Sequence, residues 1–308
     1  MGCKTRGTKL FSLILALFML TGVFTVPVYG ETFFDIGNHW AKESIEKFVV
    51  NEIVSGYPDK TFKPDNPITR AEFAAIINNN FGYYLKDEKN FSDVEEGKWY
   101  SDQILTAKKA EYMGGYPDGT FKPDKEITRE EAAVVISNIL KLNAAEDLTN
   151  LDIFSDKDDF SPWSKDSIDA AVGNSYLSGY PDGTFKGKNN ITRAEAVTIL
   201  NNISGDMIRK SGIYGNSEEQ TVLEGNLLIS SADVVLRNTV VKGNLIVSAG
   251  VGEGEVLFSD VKVEGKTYIQ GGGENSIIFE NSTLGEMYVY KVGGKIRVVA
   301  KGSSVIGK

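Results

Sequence analysis

One unit is written into this chain three times, and that repetition limits the fold more than any other feature. Gly56-Tyr57-Pro58-Asp59 recurs at Gly115 to Asp118 and at Gly179 to Asp182. Thr-Phe-Lys follows each time, from Thr61, Thr120 and Thr184, and then Ile68-Thr69-Arg70, Ile127-Thr128-Arg129 and Ile191-Thr192-Arg193. The step from the first glycine to the arginine is 14 residues in every copy. Upstream, Phe33-Phe34-Asp35 matches Phe91-Ser92-Asp93 and Phe154-Ser155-Asp156, and the chain's three tryptophans, Trp40, Trp99 and Trp163, stand at corresponding places. A register kept this well means one supersecondary unit packed against its own copies.

Each unit reads as helix, turn, helix. Ile45, Phe48, Val49 and Ile53 fall at helical spacing, and Ile104 and Ile168 take the place of Ile45. The glycine of Gly-Tyr-Pro-Asp is expected to end that helix in a left-handed conformation. Pro-Asp-Gly then predicts a tight turn with its glycine at positive φ. Lys60 stands where the other copies have Gly119 and Gly183, so its turn should be strained or of another type. Thr69 with Glu72, Thr128 with Glu131 and Thr192 with Glu195 spell a capping box at the start of the second helix. The stripes Phe73/Ile76/Ile77, Ala132/Val135/Ile136 and Ala196/Ile199/Leu200 predict its buried face. Two short helices cannot close a core alone, so residues 31–210 are expected to form one domain from copies at about 33–84, 91–142 and 154–203.

These residues resemble the S-layer homology (SLH) family, over about 180 residues and all three copies. The resemblance implies an all-α assembly with pseudo-threefold symmetry. It also implies non-covalent attachment of an exported protein to a Gram-positive-type cell wall. The implied ligand is an anionic secondary cell-wall polysaccharide, often capped by a pyruvate ketal on an amino sugar. Three positions depart from the common pattern: Lys60, Glu130 in place of Ala71 or Ala194, and Gly187 in place of Pro64 or Pro123. They make the three clefts unequal.

The residue chemistry runs the same way. Arg70, Arg129 and Arg193 occupy the first helical position, beside amides and a dipole end that favour an anion. A guanidinium there offers a planar fork to a carboxylate. The competing reading pairs each arginine with Asp59, Asp118 or Asp182, or with the Asp35-type residue, only to hold the fold. Asp35, Asp93 and Asp156 either orient sugar hydroxyls or cap the next helix. Trp40, Trp99 and Trp163 either stack on sugar faces or staple the helix start. Gly56, Gly115 and Gly179 either offer amides to a ligand or serve as caps. His39 is assigned no role.

Beyond Gly205 the composition changes. Residues 211–219 are rich in Gly, Ser, Asn and Glu, which predicts a linker over 211–220. From Thr221 to the end, Gly225-Asn226-Leu227, Gly243-Asn244-Leu245, Gly265-Lys266-Thr267 and Gly285-Glu286-Met287 align at spacings of 18, 22 and 20 residues. That period predicts a small parallel β-solenoid of about four coils over 221–308, with a β-sandwich as the alternative. The fold class expected for the whole chain is thus α+β and multidomain.

Lys4, Arg6 and Lys9, then an apolar run from Leu10, read as an export signal over 1–30 cleaved near Gly30/Glu31, with no lasting membrane insertion. Those thirty residues carry three basic and no acidic side chains, so the remainder has 30 Lys+Arg against 42 Asp+Glu, a net charge of −12. Such a charge argues against nucleic acid as a partner. One histidine and one cysteine (Cys3) exclude a His-cluster or thiolate metal site and an internal disulfide, and no cofactor is expected. The function expected is wall anchoring of a non-enzymatic surface protein whose β-rich tail binds another protein or itself. A polysaccharide-active enzyme and a surface-layer lattice subunit are the alternatives.

Overall fold

A computed structural model of the chain describes residues 33–274 and 276–307. The export signal and its cleavage position lie outside the described residues. The repeats supply six helices: α1 (Lys42–Val50), α2 (Arg70–Phe81), α3 (Ser101–Lys109), α4 (Arg129–Leu140), α5 (Lys165–Gly173) and α6 (Arg193–Ser204). The buried stripes of α2, α4 and α6 are the ones their spacing predicts. The first helix of each repeat packs on the second helix of the repeat before it: α3 on α2, α5 on α4, and α1 back on α6. The packing therefore closes into a ring. At its centre the backbone closes too. Ile68 N–H donates to Ile191 O (3.1 Å), Ile127 to Ile68 O (3.1 Å) and Ile191 to Ile127 O (3.0 Å).

The strands begin at once after α6. β1 (Asp206–Ile208), β2 (Gly212–Tyr214), β3 (Thr221–Leu223), β4 (Leu227–Ile229), β5 (Val234–Val241), β6 (Leu245–Val247), β7 (Val256–Val263), β8 (Thr267–Ile269), β9 (Ile277–Glu280), β10 (Thr283–Leu284), β11 (Met287–Val289), β12 (Val298–Lys301) and β13 (Val305–Ile306) all pair in parallel. One sheet runs β1-β4-β6-β8-β11, so the solenoid has about five coils rather than four. The stretch read as a linker holds β2. Its polar composition belongs to an exposed first coil, and the solenoid starts at Asp206 rather than Thr221. Asn238 (φ 44°), Asp260 (φ 56°) and Asn281 (φ 49°) turn the corner of successive coils. Asn and Asp tolerate this left-handed conformation better than other side chains.

The solenoid is docked on the helices through its first sheet. β4 and β6 are buried along their whole length instead of alternating, as strands covered on both faces are. Leu227, Ile229, Leu245, Val247 and Ile269 fill the solenoid interior. Leu228, Ile246 and Tyr268, one residue out of phase, belong to the core of the helical region. Polar side chains complete the joint at the ends of all three long helices. Arg209 donates to Asn79 O and Asn80 O of α2 (3.0 Å each), Gln270 to Ile139 O of α4 (2.7 Å), and Asn226 to Asn202 O and Ile203 O of α6 (3.0 Å each). The last carbonyls of a helix have no partner within it, so the solenoid supplies donors to three helix ends together.

Candidate functional site

All three capping boxes form as read. In each, one glutamate oxygen accepts the threonine N–H: Glu72 Oε2 from Thr69, Glu131 Oε2 from Thr128, Glu195 Oε2 from Thr192. The other oxygen faces the preceding repeat and meets its arginine. The separations are 3.9 Å for Arg70–Glu131, 3.4 Å for Arg129–Glu195 and 3.7 Å for Arg193–Glu72. The acidic partners are thus the capping glutamates, not the turn aspartates.

Each arginine reaches across a junction. Arg70 donates to Phe121 O (2.9 Å) and Gly114 O (3.0 Å), Arg193 to Phe62 O (3.0 Å) and Ser55 O (3.3 Å), and Arg129 to Ser178 O (2.5 Å). Each guanidinium also lies over the tyrosine of the next Gly-Tyr-Pro-Asp turn, at 4.7 Å for Tyr116, 4.9 Å for Tyr180 and 5.1 Å for Tyr57. The arginines are only 5%, 6% and 7% exposed. They fasten one repeat to the next, which the reading as open forks did not foresee. Arg129 differs in one respect: its buried Nε has no partner, whereas the other two are satisfied by carbonyls.

The helix-mouth amides are not free for an anion either. Arg70 and Ala71 N–H donate to Lys125 O and Pro123 O, Arg129 and Glu130 to Asn189 O and Gly187 O, and Arg193 and Ala194 to Asn66 O and Pro64 O. The neighbouring repeat satisfies them, a contact that no single repeat reveals.

Asp35, Asp93 and Asp156 bind their own repeat. Asp35 accepts from Phe62 and Lys63 N–H, Asp93 from Phe121 and Lys122, and Asp156 from Phe185 and Lys186, at 2.7–2.9 Å for the shorter contacts. They cap the segment after the turn rather than a helix. Gly56, Gly115 and Gly179 are not in the left-handed region. Glu52, Glu111 and Ser175, at φ 57–59°, make that turn after the first helix. The glycines are small because a ring lies on them: an added Cβ would stand 1.9, 2.4 and 2.5 Å from Phe33, Phe91 and Phe154. Lys60 makes the same turn as Gly119 and Gly183, with φ 61° against 82° and 80° and matching bonds to the tyrosine carbonyl. The tryptophans are not enclosed as a hydrophobic staple would be. Trp40, Trp99 and Trp163 are 64%, 61% and 57% exposed.

At the junction of repeats two and three the surface opens into a cleft of about 630 Å³. Its walls bring together Trp40 and Asp65 of the first repeat, Arg129 of the second, and Tyr180, Asn190 and Glu195 of the third. Burial and its bond to Glu195 (2.5 Å) push the Tyr180 hydroxyl up to about 12, so it stays a donor. At the preceding junction, burial works against the Glu131 charge. Bonds from Thr128, Tyr116 and Lys125 outweigh it and hold the carboxyl below its ordinary range. Glu130, next to Arg129 in sequence, ties the second repeat to the third. It accepts from Ser161, Ser164 and Lys188, and Gly187 lies against it. Two of the three departures from the repeat pattern therefore meet at one junction. The role of the tyrosines was missed, although their presence in all three copies was the available signal. Among the described residues no group of three or more His, Cys, Asp or Glu side chains is placed to hold a metal.

The comparisons with known proteins agree with this architecture. The S-layer homology domain matches at residues 32–74, 90–133 and 153–197. The chain carries three S-layer homology domains followed by a parallel β-solenoid. It is 39% identical over 156 residues to cell surface glycoprotein 1 of Acetivibrio thermocellus, covering 47% of this chain and 7% of that protein. It is 39% identical over 157 residues to the cellulosome-anchoring protein of the same organism, covering 48% and 34%. It is 35% identical over 178 residues to the amylopullulanase of Thermoanaerobacterium thermosulfurigenes, covering 56% and 9%. The aligned parts span about a third or less of these relatives' lengths. The domains are those of cell-surface proteins, at the cell wall or surface layer.

Proposed function

We propose that the helical ring holds this protein non-covalently on the cell wall by binding an anionic, pyruvate-ketal-bearing secondary polysaccharide, and that the solenoid is its displayed, non-enzymatic part. The observation that carries this is the cleft in which Trp40, Arg129, Tyr180 and Asn190 meet from all three repeats. An exposed indole gives a pyranose ring a flat apolar surface. Beside it, a guanidinium that already shares its charge with Glu195 accepts a carboxylate by exchange of partner. Because Arg129 is also a fastener, the cleft is tested by its exposed members.

The experiment is co-sedimentation of the purified full chain with wall sacculi, before and after the secondary polymer is stripped. Binding is expected to the intact sacculi alone. Trp40→Ala should weaken it by about tenfold, the scale of one aromatic contact, with the helix signal unchanged. Equal binding to stripped sacculi would overturn the ligand. Release of sugar from wall or uronate polymers, with or without calcium, would overturn the non-enzymatic reading.

A further inference from the structure

The solenoid's second face is built from β2, the first half of β5, the first half of β7, β9 and β12. Its inward residues, such as Val234, Leu236, Val256, Phe258, Ile277 and Phe279, are buried. Its outward residues fall in register as Ile213, Val235, Leu257, Ile278 and Val299. A sheet face turned to water normally carries polar residues at such positions. Here all five rungs are apolar, and Ile213 is 65% exposed. At roughly 4.8 Å per rung the stripe is about 19 Å long. It offers no aromatic ring and no hydrogen-bonding group along its length, which suits a second apolar stripe better than a sugar. Two residues further along each strand, the next outward row reads Arg237, Ser259, Glu280 and Lys301. Arg237 makes a long bond to Gly215 O (3.4 Å), and no ion pair joins Arg237 or Glu280 to another side chain among the described residues.

We propose that two copies of the chain meet on this face, about a two-fold axis running along the strands through the middle coil. Such an axis reverses the order of coils and keeps the order of rows. Leu257 then meets the partner's Leu257, Val235 the partner's Ile278, and Ile213 the partner's Val299. In the charged row Arg237 meets the partner's Glu280, and the symmetry makes that pair twice. The row is complementary to itself only in this arrangement of a second copy, because Arg237 and Glu280 stand two rungs apart, about 9.6 Å, in one chain. Five rungs give a small contact, so the dimer belongs to the weak class of interfaces. The helices cover the first face and take no part.

Sedimentation equilibrium of the purified full chain over about 1–200 µM tests this, a range chosen for a weak interface. The mean mass should rise toward twice that of one chain. Leu257→Glu, which sets like charges together on the axis, should keep the chain monomeric throughout with an unchanged melting curve. Arg237→Glu or Glu280→Arg alone should move the transition to about tenfold higher concentration, and the double exchange should restore it, as a direct pair requires. A chain that stays monomeric at the highest concentration overturns the proposal. So does a dimer indifferent to Leu257→Glu, or single exchanges that the double exchange does not restore. None of these residues lies in the cleft, so a failure here leaves the wall-binding reading standing.

Discussion

The helical ring and the solenoid are both built from repeats, yet they solve opposite problems. In the ring, copy three packs back on copy one through α1 and α6, and the arginine of each copy enters the turn of the next. Every junction is used and no repeat is terminal. In the solenoid each coil pairs only with its neighbours, and the first and last coils differ from the rest. A linear array buries one interface fewer than it has units and leaves faces uncovered. Here the remedy for one face is the ring itself. Leu228, Ile246 and Tyr268 enter the helical core, while solenoid side chains satisfy the ends of α2, α4 and α6. The two regions therefore share one core rather than meeting as an anchor and a tethered tail.

The sharpest way to break that picture is to place a charge in the joint. Ile246→Asp buries an unpaired carboxylate where Ile246 is fully enclosed. A loss of several kcal/mol is expected, above the roughly 2–5 kcal/mol of a simple truncation there. Calorimetry should show helix and strand signals melting together at a lower temperature. Two separate transitions, with the helical one unmoved, would mean that the regions are independent.

A smaller effect is expected inside one repeat. Gly115→Ala drives a Cβ to 2.4 Å from the Phe91 ring and 2.6 Å from Thr120 O. Overpacking of this kind costs about 1–3 kcal/mol, read as a shift of the denaturant midpoint at constant slope. Acidification acts on the junctions between repeats. Glu131 and Glu130 are held below their ordinary pKa in the folded chain. Their contribution is therefore complete above the unfolded-state value and is lost as pH falls through the folded one, from about pH 5 downward. The melting temperature should fall over that window, and Glu131→Gln should flatten the fall. Lys60→Gly is the mildest change and the only stabilising one. It relieves a side chain at φ 61° in a turn where the other copies have glycine, for a gain of about 0.5–1 kcal/mol. A melting temperature unchanged or lowered would show that the strain is not there.

Much of the architecture was legible before any coordinates. The 14-residue register, the capping boxes and the buried stripes defined the helical unit and its three copies, because local periodicity and local capping are properties of contiguous residues. The period near twenty gave the solenoid. The joint was not legible, although the apolar middle residues of β4 and β6, Leu228 and Ile246, were its trace: a strand covered on one face only would have been polar there. At the candidate site the residues were found and their environments were not. Arg70, Arg129 and Arg193 looked like exposed forks at free helix ends. Their burial, and the carbonyls that occupy those ends, come from the next repeat.

Sequence alone thus determined the helices of the repeat and the strand character of the chain beyond Thr221, that the helical unit occurs three times, and that one junction would differ, since Glu130 and Gly187 break the pattern. Only the tertiary structure decided that the repeats close on themselves, that the capping glutamates face arginines of other repeats, and that the solenoid seals the helix ends. The reason is physical. Caps and periodicities are settled within a few residues of each other, whereas the partner of a buried guanidinium or an orphaned carbonyl is settled by whichever distant segment packing brings against it.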